Sequence, residues 1–111
     1  MNAPPPLKVA QQATAYEKTY NQVSRTSNEV AGRLAARLTS ETQGEVLFSA
    51  ADRGRYATDA SIYQSLPTGV FVPHSSADVA LALEICRDLG VPIVARGGGT
   101  SQCGQTVGAG L

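Results

Sequence analysis

The chain has 111 residues, and its 9 Lys or Arg residues balance its 9 Asp or Glu residues, so the formal net charge is +0. This balance excludes the basic face of a nucleic-acid-binding protein and the polybasic patch of a protein that binds anionic membranes. No apolar run approaches the ~20 residues of a membrane-spanning helix, and Cys86 and Cys103 are too few for a disulfide framework or a zinc site. Without the apolar segment of a secretory signal, the N-terminus indicates a cytoplasmic protein.

The first part of the chain is predicted to be an N-terminal extension, residues 1–26, followed by a helix. Its proline run indicates a disordered or extended start through about residue 10, and the polar stretch that follows is at most a weakly packed helix. A second, better helix is predicted to begin with Ser27 or Asn28 as its N-cap. The apolar stripe of this helix consists of Val30, Leu34 and Leu38.

Short strands are predicted at residues 45–49 and 70–72, separated by a polar segment that forms a turn or a helical turn. The clearest helix then begins at Ser75, because Asp78 three residues later gives a start that resembles a capping box. Gly90 is a suitable residue to end it. The predicted core face of this helix consists of Val79, Leu83, Cys86 and Leu89.

Residues 91–95 are predicted to form a further strand after that helix. The fold class is therefore α/β (α+β), with N-terminal helices before a small β-α-β unit. A parallel pair of strands joined by a right-handed crossover is the expected geometry of such a unit.

The most informative feature is the run of three glycines directly after residues 91–95. Glycine has no Cβ atom to keep a ligand from the backbone, and it tolerates φ > 0, so successive N–H groups can point into one concavity. Such a nest binds anions, typically phosphate. Arg96 adds a positive charge at one end, and Thr100 and Ser101 add hydroxyl donors at the other. This segment, residues 96–101, is the glycine loop, and it predicts a diphosphate site.

Two common nucleotide motifs do not fit the glycine loop. A P-loop requires a lysine, and none follows Lys18. A dinucleotide-binding fingerprint would require glycine where the chain has Gln102, and it would require a helix after the loop. A glycine-rich turn without a ligand remains the alternative.

Three stretches occur in a fixed order: RYATDASIY at 55–63, VFVP with SADV over 70–79, and GVPIVARGGGTS at 90–101 followed by Gly104 and Gln105. Together they resemble the FAD-binding domain of the vanillyl-alcohol oxidase and p-cresol methylhydroxylase (PCMH) type, in particular its D-lactate and D-2-hydroxyglutarate dehydrogenase-like members. The resemblance implies that residues 27–111 are the N-terminal part of such a domain. Residues 44–48 also resemble bacterial members fused to an iron–sulfur module, which implies an iron–sulfur cluster in sequence outside this chain.

The resemblance implies an FAD-dependent oxidoreductase that oxidises a 2-hydroxy acid of the D-lactate, glycolate or D-2-hydroxyglutarate class. Members with a covalent flavin carry a histidine where this chain has Thr100, so non-covalent FAD is expected. The implied cofactor-binding residues are Pro73, Arg96, Gly97, Gly98, Gly99, Thr100, Ser101, Gly104 and Gln105.

No catalytic residue and no metal ligand is expected in this chain. The 111 residues are expected to be a fragment that lacks the rest of the flavin domain and is inactive alone. The alternative is a stand-alone nucleotide-binding or interaction module without catalytic activity.

Overall fold

The computed structural model describes residues 9–111, in which five helices and strands follow one another. They are α1 (Val9–Glu41), β1 (Glu45–Leu47), α2 (Ala50–Arg55), β2 (Val70–Val72) and α3 (Ser76–Leu89). β1 and β2 form an antiparallel pair in which Val46 lies opposite Phe71. The predicted α/β class is confirmed, as is the position of both strands.

Helix α1 is one continuous helix where the sequence predicted two. The predicted N-cap at Ser27 or Asn28 is therefore wrong. The hydroxyl of Thr26 donates to the Gln22 carbonyl at 3.0 Å, and other hydroxyls along α1 bond in the same way. Because such hydroxyls find partners within the helix, they do not compete for its backbone groups as caps.

The chain divides into two compact units at Val30, and every element after α1 belongs to the second. The disordered or extended start predicted for residues 1 to about 10 lies outside the described residues except for its last two, which belong to α1.

The core of the second unit consists of apolar side chains from α1 and α3, together with Val91. Leu34 and Leu38 of α1 are completely buried, and Ile85 and Cys86 of α3 are nearly so. The predicted burial of Leu34 and Leu38 is confirmed. Burial also raises the pKa of the Cys86 thiol, which favours its neutral form and fits the predicted role of a small core residue.

Helix α3 has the predicted ends. The Ser75 hydroxyl accepts from the Asp78 backbone N–H at 3.1 Å, and Gly90 closes the helix in the left-handed conformation. The predicted core face is partly wrong, because Val79 and Leu83 are 42% and 51% exposed. The buried apolar residues of α3 are Ala82, Ile85 and Cys86.

The third predicted strand, residues 91–95, does not form and does not pair with β2. Its backbone bonds to Leu111: the Leu111 N–H donates to Pro92 and the Val94 N–H donates to Leu111, at 2.9 and 2.7 Å. This alternation is that of a parallel pair. The Thr68 N–H donates to the Gly110 carbonyl at 2.9 Å. Gly110 and Leu111 therefore lie between Thr68 and residues 92–94.

Asp78 joins three segments of the second unit. Its carboxylate, in a residue that is 3% exposed, accepts from the backbone N–H groups of Gln43 at 3.0 Å and of His74 at 2.9 Å. These two bonds stabilise the charged form and lower the pKa of Asp78, the bond from Gln43 most strongly. The carboxylate thus ties the end of α1 to the turn between β2 and α3.

Asp78 should make the fold sensitive to acid. Because its pKa is lower in the folded chain, its contribution is present at neutral pH and is lost as the pH falls below about 4. We expect Asp78→Asn to lower Tm by roughly 5 °C or more at pH 7 and by progressively less toward pH 3. Thermal melts across this range check it, with Asp88→Asn as a control at an exposed carboxylate bonded to Arg37. A difference that grows toward pH 3 would contradict the assignment.

Candidate functional site

The glycine loop presents a row of unpaired backbone donors. The N–H groups of Gly97, Gly98, Gly99, Thr100 and Ser101 have no hydrogen-bond partner among residues 9–111. Gly97, Gly98 and Thr100 are exposed, so these donors can reach a ligand without any rearrangement of the core. Successive unpaired N–H groups in a turn form an anion-binding concavity.

The three glycines differ in the room that they leave. A Cβ atom at Gly97 would meet nothing within 4 Å, and one at Gly98 would meet only the Thr100 methyl carbon at 3.7 Å. Gly99 alone adopts a positive φ, +69°, and a Cβ there would lie 2.3 Å from a guanidinium nitrogen of Arg96. The expectation that φ > 0 is used along the run therefore holds only at Gly99, and the outer surface at Gly97 and Gly98 is open.

Arg96 lies beneath the loop and connects three segments. Its Nη1 donates to the Tyr56 carbonyl at 3.2 Å and to the Thr106 carbonyl at 3.4 Å. The guanidinium also lies 5.3 Å from the centre of the Tyr56 ring, within cation–π range. No carboxylate in the described part of the chain forms an ion pair with Arg96, so its charge stays available to an anion in the loop.

The segment before β2 contacts the residues that follow the loop. The Asp59 carboxylate accepts from the Ser61 N–H at 2.8 Å and from the Thr106 hydroxyl at 3.1 Å. Hydrogen bonding from the Ser61 side chain lowers the pKa of Asp59 most strongly, and the Ser61 N–H and the Thr106 hydroxyl lower it further. The Tyr63 ring packs against Gly104, where a Cβ would lie 2.7 Å from Cδ2 of the ring.

The far end of the loop is held by a local turn. The Ser101 hydroxyl donates to Oε1 of Gln105 at 3.0 Å and accepts from the Cys103 N–H at 3.3 Å. The Thr100 hydroxyl has no partner among the described residues and is exposed. Of the two predicted hydroxyl donors, Thr100 is therefore free for a ligand and Ser101 shapes the turn.

A cavity of about 440 Å³ lies beside the loop, between β2, α3 and residues 93–97. Its walls are mainly apolar and include Val79, Leu83 and Ile93. Three of the predicted cofactor-binding residues line it: Pro73 from one segment, and Arg96 and Gly97 from another. The other predicted residues do not line it: Gly98, Gly99, Thr100, Ser101, Gly104 and Gln105.

The charge of this region favours an anion. Arg96 is the only charged residue after Asp88 in the printed sequence. A positive charge and unpaired N–H groups, without an acidic side chain in the same segment, suit the two phosphates of a dinucleotide. Within residues 9–111, no cluster of His, Cys, Asp and Glu could hold a metal ion.

Sequence reasoning did not identify the residues that support the loop from outside it. The carbonyls of Tyr56 and Thr106 accept from Arg96, Asp59 bonds Thr106, and Tyr63 packs against Gly104, which follows the loop. Tyr56, Asp59 and Tyr63 belong to RYATDASIY, which the sequence indicated only as a largely polar turn and as part of the family resemblance. Their density of polar and aromatic side chains in one short stretch was the available signal.

Residues 67–111, which contain β2, α3 and the whole glycine loop, match the family described as FAD binding domain. The predicted resemblance is thus confirmed for this part of the chain, and FAD is the cofactor that the match supports. Non-covalent attachment stays a prediction.

Three relatives show the same similarity over a longer stretch. The chain is 41% identical over 71 residues to D-2-hydroxyglutarate dehydrogenase of Pantoea ananatis, covering 61% of this chain and 7% of that protein. It is 39% identical over 69 residues to glycolate oxidase subunit GlcD of Bacillus subtilis, covering 60% of this chain and 15% of that protein. D-2-hydroxyglutarate dehydrogenase of Escherichia coli is 42% identical over 71 residues, with 61% of this chain and 7% of that protein covered.

The chain therefore spans only a small part of the length of these relatives. No solved structure gives a significant match. Among the described residues, no helix has the length and apolar character needed to cross a membrane. The predicted cytoplasmic location stays a prediction.

Proposed function

We propose that the glycine loop binds the diphosphate of FAD. The observation that carries the proposal is the row of unpaired N–H groups from Gly97 to Ser101, three of them in exposed residues. Beside this row lies Arg96, which forms no ion pair with any carboxylate that the structure describes. Hydrogen bonds from N–H groups to an ionised acceptor are shorter and stronger than neutral ones. FAD carries two phosphates, so several donors in a row match its charge.

The predicted residues then have separate roles. Gly97 and Gly98 let the phosphates approach the backbone, Gly99 turns the chain, and Thr100 donates its hydroxyl. Ser101 and Gln105 hold the end of the loop through their mutual bond. Gly104 and Gln105 lie toward the diphosphate or the isoalloxazine, and Pro73 lies toward the adenine end. Because Thr100 stands in place of the linking histidine, FAD is held non-covalently.

We also propose that the intact protein is an oxidoreductase acting on a 2-hydroxy acid, with residues 27–111 as the N-terminal part of its flavin domain. The names of the similar proteins, D-2-hydroxyglutarate dehydrogenase and glycolate oxidase subunit, support this substrate class. FAD, held by the glycine loop, would supply the redox chemistry as the hydride acceptor for the α-carbon of the acid. In this chain, the glycine loop and the segments that hold it bind and orient the cofactor.

One experiment tests both the attachment and the activity. The purified intact protein is assayed with D-2-hydroxyglutarate, glycolate and D-lactate and a dye acceptor, then denatured in acid and filtered. We expect turnover of at least one acid and release of the yellow flavin into the filtrate. Flavin that stays with the polypeptide would contradict non-covalent binding. Flavin release without turnover of any acid would favour the alternative, a nucleotide-binding module without catalytic activity.

A further inference from the structure

We propose that Thr106 and Asp59 are positioning residues for the glycine loop and act on it through the Arg96 guanidinium. The inference rests on the proposed function of the loop. It adds residues outside the loop, which touch no phosphate but set the shape that the phosphates meet.

The side chain of Arg96 packs against the backbone of the glycine loop. A Cβ at Gly99 would lie 2.3 Å from Nη2 of Arg96, so the guanidinium occupies the inner side of the loop at its left-handed residue. The position of the guanidinium therefore decides where the backbone at Gly99 can lie.

The Arg96 guanidinium is held by hydrogen bonds to two backbone carbonyls. Its Nη1 donates to two carbonyls, those of Tyr56 and Thr106, which belong to segments on either side of the loop in sequence. Arg96 has no carboxylate partner that could fix it otherwise in the described structure. Its orientation therefore depends on these two backbone groups and on the Tyr56 ring.

Thr106 is in turn held by a hydrogen bond to Asp59. Its hydroxyl donates to Oδ2 of Asp59 at 3.1 Å, and Oδ1 of the same carboxylate accepts from the Ser61 N–H at 2.8 Å. Thr106 is thereby fixed to the 56–61 segment, the same segment that supplies the Tyr56 carbonyl. The bond between Asp59 and Thr106 thus keeps the two acceptors of Arg96 at one separation.

This arrangement explains how a loop without internal hydrogen bonds can be preorganised. Its own N–H groups are reserved for a ligand, so rigidity must come from outside the loop. A preorganised site binds more tightly because less ordering accompanies binding. Loss of the Asp59–Thr106 bond should therefore weaken diphosphate binding while the unpaired N–H groups stay in place.

The test compares FAD with riboflavin, which lacks the two phosphates and the adenosine, on the intact apoprotein. We expect Thr106→Val to raise the Kd for FAD roughly 5- to 10-fold, the size of one lost hydrogen bond, and to leave the Kd for riboflavin unchanged. Thr106→Ser keeps the hydroxyl and should restore FAD binding. Thr68→Val is the matched control, because the Thr68 hydroxyl donates at 2.8 Å to the Ala109 carbonyl and not to a group that holds Arg96.

The outcomes separate the inference from the function on which it rests. Wild-type protein that binds FAD and riboflavin equally would overturn the diphosphate site itself. Tighter binding of FAD by the wild type, with no change in Thr106→Val, would overturn only the positioning role. An equal loss of FAD and riboflavin binding in Thr106→Val, not restored by serine, would show general damage to the fold and would also overturn it.

Discussion

Gly98→Val should raise the Kd for FAD roughly 100-fold or more while the fold survives. Gly98 does not adopt a positive φ, and the space at its Cβ position is open, so valine fits the free protein. In the complex its methyl groups would stand where the phosphates approach the backbone. Loss of two hydrogen bonds to a charged group, each worth about 1.5–3 kcal/mol, corresponds to a change of this size.

The measurement is an FAD titration of the intact apoprotein, followed by flavin fluorescence, with circular dichroism to check the fold. Gly32→Val is the matched control. Gly32 is also exposed and also has nothing within 4 Å of its Cβ position, but it lies in α1. Wild-type FAD affinity in Gly98→Val would show that the diphosphate lies elsewhere.

Leu38→Ala should have the largest effect on stability, a loss of about 2–5 kcal/mol in the free energy of unfolding. Leu38 is completely buried in the core of the second unit, where alanine would leave a cavity in addition to the lost apolar contact. Urea denaturation followed by circular dichroism measures the change.

Leu66→Ala is the control for this substitution. Leu66 is 52% exposed, so the same change of side chain there should cost no more than about 0.5 kcal/mol. Equal losses at Leu38 and Leu66 would contradict the assigned core. Loss of FAD binding by Leu38→Ala without loss of stability would also contradict it, since α1 is assigned no direct contact with the cofactor.

Elements with local signals were predictable from the sequence. Ser75, Asp78 and Gly90 mark the ends of α3, because capping is a matter of a few neighbouring residues. The position of β2 follows from its short apolar run. The glycine loop was predictable in the same way, since three adjacent glycines leave the backbone accessible.

Features that depend on distant contacts were not predictable. Val79 and Leu83 share helical spacing with Cys86, but α3 is apolar over a wide arc and only tertiary packing decides which part is buried. The bond from Arg96 to Tyr56 spans 40 positions and that from Thr106 to Asp59 spans 47. Nothing in the local pattern of either segment indicates such partners.

Which glycine of the run adopts φ > 0 was not predictable either. Each of the three glycines can adopt that conformation, so composition does not say which of them does. The placement of Arg96 against Gly99 makes the choice, and it leaves Gly97 and Gly98 as the open part of the loop.

The most direct test of the diphosphate site is an experimental structure of the intact protein with FAD bound. The account predicts phosphate oxygens within hydrogen-bonding distance of backbone N–H groups between Gly97 and Ser101, and no covalent bond from Thr100 to the flavin. Phosphates bound away from the glycine loop, with these N–H groups still unpaired, would contradict it.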